Sequence, residues 1–123
     1  MTSTNPLKLT GHRDLRVWQD AMALVRKVYV VTRDFPKDEQ YGLSSQLRRA
    51  AVSVPSNIAE GAARTGKKEF ARFLSVARGS LTEVETQILI AKDLGYLTEE
   101  GGILASVSDL LRSISALMKS LEK

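Results

Sequence analysis

One stretch of the chain, residues 67–93, carries apolar residues at steps of four and three without a break. This spacing places them on one side of an α-helix, in which a turn takes about 3.6 residues. The row consists of Phe70, Leu74, Ala77, Leu81, Val84, Ile88 and Ala91. A helix of this length measures about 40 Å, and its apolar side must be covered by other elements. The pattern therefore predicts a helical protein built around one long helix.

Three other segments show the same spacing, namely 14–33, 39–62 and 103–121. The first has two adjacent rows: Leu15, Trp18, Met22, Val25 and Tyr29, and Val17, Ala21, Leu24, Val28 and Val31. The other two rows are Leu43, Leu47, Ala50, Ala51, Val54 and Ile58, and Ile103, Val107, Leu110, Ile114, Leu117 and Leu121. No segment alternates with period two, so we expect no sheet. We predict an all-α fold over residues 14–123, an antiparallel up-down four-helix bundle joined by short loops.

The ends of these helices are marked by turn-forming residues. Pro36 marks the break between the first and second helices, and Gly61–Gly66 forms the break between the second and third. Thr65 is the expected N-cap of the third helix, Gly95 its stop, and Thr98 a candidate cap for the fourth. Residues 1–13 are polar and are expected to form a flexible tail.

Pro55 lies inside the predicted second helix. Its ring removes the hydrogen bond to the carbonyl of Ala51, which kinks a helix. The alternative is two short helices meeting at Ser53–Pro55. We favour one proline-kinked helix.

A polar stripe also runs along the second helix at helical spacing. It consists of Gln46, Arg49, Ser53, Asn57 and Glu60. A solvated surface more often carries Lys and Glu, so we interpret the stripe, together with Glu83 of the third helix, as a structural polar network, internal or between subunits. Arg49 is expected to pair with Glu60, Glu83 or a neighbouring subunit, whereas Arg48 is expected to face outward. Gly79 weakens the third helix by about 1 kcal/mol relative to alanine, which suggests close approach by another helix.

Charge is unevenly distributed along this chain of 123 residues, whose net charge is +4. Residues 44–78 contain seven Lys and Arg against two acidic residues, whereas residues 79–123 contain four against seven. Such asymmetry attracts an anionic partner or other copies of the chain. With no cysteine, no apolar run long enough for a membrane and no apolar leader near the start, we expect a cytoplasmic protein.

The turn before the third helix holds a basic group. Gly61–Lys68 nearly matches the phosphate-binding loop G-x-x-x-x-G-K-[ST], but Lys68 replaces the hydroxyl residue and a helix, not a strand, precedes it. The basic residues are Arg64, Lys67, Lys68 and Arg72. They lie at the positive end of the predicted helix, where phosphate groups bind well. We expect phosphate contacts with RNA or DNA here and no base-stacking platform; a solvated helix start is the alternative.

The sequence contains few groups that are suited to catalysis. The single histidine, His12, lies in the predicted tail, and cysteine is absent. Glu60 and Glu83 form the only carboxylate pair of interest, and pairing with arginine explains both. We expect no enzymatic activity, no cofactor and no metal.

Five segments together resemble a bacterial four-helix-bundle family encoded within intervening sequences of 23S ribosomal RNA genes, or standing alone. They are residues 15–18 (LRVW), 35–36 (FP), 41–50 (YGLSSQLRRA), 53–61 (SVPSNIAEG) and 77–87 (ARGSLTEVETQ). The resemblance covers about 15–97; the tail and last helix match in pattern only.

The resemblance implies a ring-like homopentamer related to the accessory protein of diversity-generating retroelements, which partners a reverse transcriptase and binds nucleic acid. It supplies no catalytic residue. The expected function is therefore a nonenzymatic oligomer that binds RNA or DNA, and the alternative is an oligomeric protein-interaction scaffold without nucleic-acid binding.

Overall fold

The computed structural model describes residues 11–98 and 101–122, and within them it contains four α-helices and no strand. The helices are α1 (Arg16–Thr32), α2 (Leu43–Ala62), α3 (Lys67–Asp93) and α4 (Ile103–Ser120). The all-α prediction is confirmed, and α3 has the predicted bounds. The second helix starts later than predicted, because Lys37–Glu39 forms a separate 3-10 turn.

The apolar rows meet in one core. Helix α1 contacts α2 and α4, and α3 also contacts α2 and α4. Every residue of the α3 row is buried, as are the central residues of the α2 and α4 rows. In α1 the core row is the one that contains Ala21, Leu24 and Val28, whereas Trp18 and Val25 of the other row are only partly buried. The spacing of apolar residues thus predicted which side of each helix is buried.

Pro55 lies within the continuous helix α2 and is itself buried. The alternative of two short helices meeting at Ser53–Pro55 is therefore wrong. The missing amide donor concerns one turn only, and the buried residues on both sides, Val54 and Ile58 among them, keep the helix packed.

The helix caps differ in part from the prediction. Gly66, not Thr65, is the N-cap residue of α3, and Gly102, not Thr98, that of α4. Both caps lack a side-chain hydrogen bond, because glycine permits the required backbone without offering an acceptor. Gly95 ends α3 as predicted, with a φ of 78° that other residues rarely adopt.

The predicted tail, residues 1–13, falls largely outside the described residues. Its last part does not: Gly11–Asp14 forms a 3-10 turn. The rings of His12 and Trp18 are 4.9 Å apart in an edge-to-face contact. The histidine therefore packs against α1.

A hydrogen-bonded contact joins the segment between α1 and α2 to the end of α3. The Tyr96 hydroxyl donates to Glu39 Oε2 at 2.7 Å, and the amide of Leu43 donates to Glu39 Oε1 at 2.9 Å. Glu39 thereby satisfies the first amide of α2. The rings of Phe35 and Tyr96 are 5.7 Å apart. This contact places the α1–α2 connection beside the C-terminal end of α3.

We expect this contact to make stability depend on pH at the acidic end. The hydrogen bond from the Leu43 amide, and to a smaller extent that from the Tyr96 hydroxyl, holds the pKa of Glu39 below its ordinary value of 4.5. A carboxyl with a lowered pKa stabilises the fold above its ordinary pKa and loses that contribution as pH falls through the folded value. Thermal unfolding followed by circular dichroism should show a smaller loss of Tm below about pH 4.5 in Glu39→Gln than in the parent. An equal loss would contradict this role.

Candidate nucleic-acid interface and polar network

The start of α3 is positioned by a close contact with the end of α2. A Cβ placed on Gly61 would lie 2.7 Å from Phe73 Cβ and 3.3 Å from the carbonyl oxygen of Phe70. Gly61 is buried, so the two helices touch here through backbone. The four residues that follow α2, 63–66, then turn the chain into α3, where the basic group lies.

The two arginines of the basic group are paired with carboxylates. Arg64 Nη2 lies 2.8 Å from Glu60 Oε2, and Arg72 donates through Nε and Nη2 to both oxygens of Glu69, each at 3.1 Å. These hydrogen bonds from Arg72 hold the pKa of Glu69 below its ordinary value. All four side chains are about half exposed, so the pairs are weak and open to competition by another anion.

An aromatic ring lies between the two arginines. The guanidinium of Arg64 is 5.1 Å from the centre of the Phe73 ring, and that of Arg72 is 4.5 Å from it. An aromatic side chain therefore lies among these charges, although no base-stacking platform was expected from the sequence. The ring is buried and covered by the guanidinium groups, so it orients the arginines instead of stacking with a base.

Lys67 and Lys68 occupy the first turn of α3 and are exposed. No side chain caps this turn, although the first amides of a helix have no partner within it. The exposed N-cap Gly66 leaves them accessible, since a Cβ there would meet nothing within 4 Å. When the carboxylates of Glu60 and Glu69 are counted with the four basic side chains, the net charge of this surface is +2. It combines helix amides and lysines as many phosphate sites do.

The segment Gly61–Lys68 resembles a phosphate-binding loop in sequence but not in structure. That loop requires a strand before its first glycine, whereas Gly61 belongs to α2. Lys68 also stands in place of the hydroxyl residue that binds magnesium. The structure provides a turn between two helices here.

The predicted polar network is only partly connected. Ser53 Oγ and Ser80 Oγ are 2.8 Å apart and link α2 to α3. The side-chain amide of Asn57 donates to the Ser53 carbonyl at 2.8 Å and to Ser53 Oγ at 2.9 Å. Since Ser53 Oγ accepts from Asn57, its own proton is available for Ser80. Ser80 was not predicted, although its place next to Gly79 marked the same position.

The charged members of the predicted network do not pair with one another. Glu60 pairs with Arg64, and Glu83 Oε2 accepts a long hydrogen bond of 3.5 Å from Gln87. Within the described part of the chain, Arg49 forms no hydrogen bond or ion pair. Gln46, Arg49 and Glu83 instead line one groove together with Ala50, Ser53 and Ser80.

The expectation that Arg48 faces outward is wrong, whereas the pairing of Arg49 with a neighbouring subunit stays a prediction. Arg48 is half-buried: its Nε donates to Thr32 Oγ1 at 2.8 Å, and its guanidinium lies 4.6 Å from the centre of the Tyr29 ring. Arg49 is the exposed one. The helical spacing of polar residues ranked Arg49 first, but it could not show that Tyr29 and Thr32 of α1 face Arg48.

Gly79 is exposed, and a Cβ added there would meet nothing within 4 Å. No described helix of this chain approaches it closely, and the predicted approach by another helix stays a prediction. Gly79 lies in a second groove, which we name the glycine groove. It is lined by Leu43, Gln46, Gly79, Thr82, Glu83, Thr86, Gln87 and Ile90.

Two further features, a metal site and a membrane-spanning helix, are absent from the described residues. They contain no group of three or more His, Asp or Glu side chains that could hold a metal ion. None of their helices is long and apolar enough to cross a membrane.

A family model described as 23S rRNA-intervening sequence protein matches residues 13–120. The chain belongs to this family. The match includes all four helices, the basic group and the polar stripe, and it extends beyond the segments that carry the resemblance in sequence. No curated protein matches the chain. Membership in the 23S rRNA-intervening sequence protein family establishes what the chain is related to but not what it does. Its function is therefore inferred from its surface.

Proposed function

We propose that this protein is a nonenzymatic, cytoplasmic homo-oligomer, a pentamer by analogy with the family, that binds RNA or DNA through phosphate contacts. The observation that carries the proposal is the start of α3, where no side chain caps the helix and Lys67 and Lys68 are exposed in the first turn. Arg64 and Arg72 extend the positive surface on either side. A site of this kind contacts the backbone and not the bases, so binding should depend strongly on salt and weakly on nucleotide sequence.

We also infer that the four helices alternate in direction as an up-down bundle. Two contacts support it: Tyr96 after α3 meets Glu39 before α2, and Lys27 of α1 donates to Ser106 of α4 at 2.6 Å. Each places the ends of two helices side by side, as antiparallel neighbours require. A modest kink at Pro55 in α2 belongs to this arrangement, because the proline lacks the amide hydrogen.

Charge reversal at the lysines tests the nucleic-acid proposal. Lys67→Glu/Lys68→Glu should weaken binding to a mixed pool of single- and double-stranded RNA and DNA by roughly tenfold or more, and lower the salt slope by about two. The loss arises because two phosphate contacts disappear and two carboxylates repel the backbone. Fluorescence anisotropy at several salt concentrations measures both quantities.

The matched control reverses two exposed charges near the other end of α3. Arg33 and Lys37 flank Phe35, which contacts Tyr96 after α3. Arg33→Glu/Lys37→Glu changes the net charge equally and should retain most of the affinity. Equal losses in both variants would show that net charge alone matters, and the proposed site would be wrong.

A protein-interaction scaffold is the second candidate. It is favoured by a second exposed surface, which we name the aromatic groove, lined by Tyr29, Gln40, Tyr41, Ser45, Arg48, Arg49, Val52 and Ser53. Tyr41 is 90% exposed there, which is unusual for a large aromatic side chain. Oligomers without affinity for nucleic acid at physiological salt would favour this candidate, with a protein such as a reverse transcriptase as the partner.

A further inference from the structure

The glycine groove contains a buried polar atom without a partner. Gln87 is 6% exposed, and its Oε1 atom is the one buried side-chain oxygen or nitrogen in the described residues that has no hydrogen bond. Buried polar atoms almost always have partners, because an unsatisfied acceptor is costly. The groove therefore lacks a hydrogen-bond donor that the chain itself does not provide.

The rest of the groove is shaped for close approach. Gly79 offers no side chain, and the hydroxyls of Thr82 and Thr86 bond back to the carbonyls of Arg78 and Thr82. These two threonines can therefore present methyl groups to a partner. Ile90 at the end of the groove is 43% exposed. A glycine within an exposed stretch of helix weakens that helix, and close packing against another molecule would explain its presence.

The aromatic groove carries the complementary groups. Its lining has two guanidinium groups and no carboxylate, whereas the glycine groove has the Glu83 carboxylate, the unpaired acceptor and no cation. Arg49 and the Tyr41 hydroxyl are donors without an acceptor among the described residues. Two copies meeting through the same groove would bring like charges together. Contact between unlike grooves avoids this, and repeated head-to-tail contact forms a ring when the rotation from copy to copy closes.

We propose that the aromatic groove of one copy packs into the glycine groove of the next copy, and that a donor from the former satisfies Gln87 Oε1. This rests on the proposed homo-oligomer and specifies its interface. The contact is heterologous, so each copy uses both grooves, as a ring-shaped homo-oligomer requires. The basic group at the start of α3 contributes to neither groove and stays available for phosphate.

A mixing experiment tests the interface. Tyr41→Glu/Val52→Glu blocks the aromatic groove, and Gly79→Leu fills the glycine groove. Each variant alone should be a monomer of 13.5 kDa by light scattering on a sizing column. A mixture of the two should give a two-chain species, because one intact groove remains on each and cannot extend further.

Control variants exclude unfolding as the cause. Ser113→Leu and Ser108→Glu, on the exposed side of α4, should leave the mass unchanged, and circular dichroism should show native helix content in all variants. Thr86→Arg and Tyr41→Glu serve as a second pair should either first variant fail to fold.

Three results would overturn the proposal in distinguishable ways. A monomeric parent protein would refute the proposed assembly and this interface together. An oligomeric parent whose single variants keep the parental mass would refute the interface alone. Monomeric variants that stay monomeric on mixing would show that the two grooves do not meet each other.

Discussion

Replacing Leu81 by alanine is expected to lower the free energy of unfolding by about 3–5 kcal/mol. Leu81 lies at the middle of α3, is fully buried and belongs to the core that joins all four helices. Alanine removes apolar contacts and leaves a cavity that rigid neighbours fill only in part. Because a small domain has only about 5–15 kcal/mol of stability, this single change should bring the protein close to unfolding. Urea unfolding at one fixed protein concentration measures it.

Leu89→Ala is the matched control, since it makes the same change in the same helix. Leu89 is 47% exposed, so its replacement should cost about 1 kcal/mol or less. Similar losses for the two variants would mean that the side of α3 assigned to the core is wrong. Working at one concentration matters because assembly adds to apparent stability.

Gly61→Ala is expected to lower the free energy of unfolding by about 1–3 kcal/mol, the range for overpacked sites. The new methyl group would lie 2.7 Å from Phe73 Cβ, an atom fixed to the α3 backbone, so the helices must separate. The separation would also shift Phe73, on whose ring Arg64 and Arg72 lie. We therefore expect weaker nucleic-acid binding in the fraction that remains folded.

Gly79→Ala provides the opposite outcome at another glycine within a helix. Because a Cβ there meets nothing in the chain, alanine should raise the stability of the monomer by up to about 1 kcal/mol through helix propensity. The measurement belongs at a protein concentration too low for association. Destabilisation at Gly79 equal to that at Gly61 would contradict the open space around Gly79.

The four apolar rows could be predicted from the sequence because burial repeats with the period of the helix. The row from Phe70 to Ala91 is buried without exception. Helix caps were less predictable: glycines at 66 and 102 take the place of the expected threonines, since both residue types are common before a helix. Only the backbone geometry decides between them.

The polar residues were harder to assign, because their partners come from other helices. Ser53 reaches Ser80, and Arg48 reaches Thr32; both contacts cross between helices and leave no pattern along one helix. The pairing of Arg64 with Glu60 is easier to predict from the sequence, since residues four apart are neighbours on a helix. Gly79 was recognised as unusual, but the sequence pattern of one helix could not show whether another helix packs against it.

Light scattering on a sizing column, with and without a mixed RNA and DNA pool at low and physiological salt, tests the central claim most directly. We predict a species near the mass of five chains of 13.5 kDa that shifts to larger mass with nucleic acid at both salts, and less at the higher one. A monomer, or an oligomer that ignores nucleic acid at physiological salt, would contradict the account.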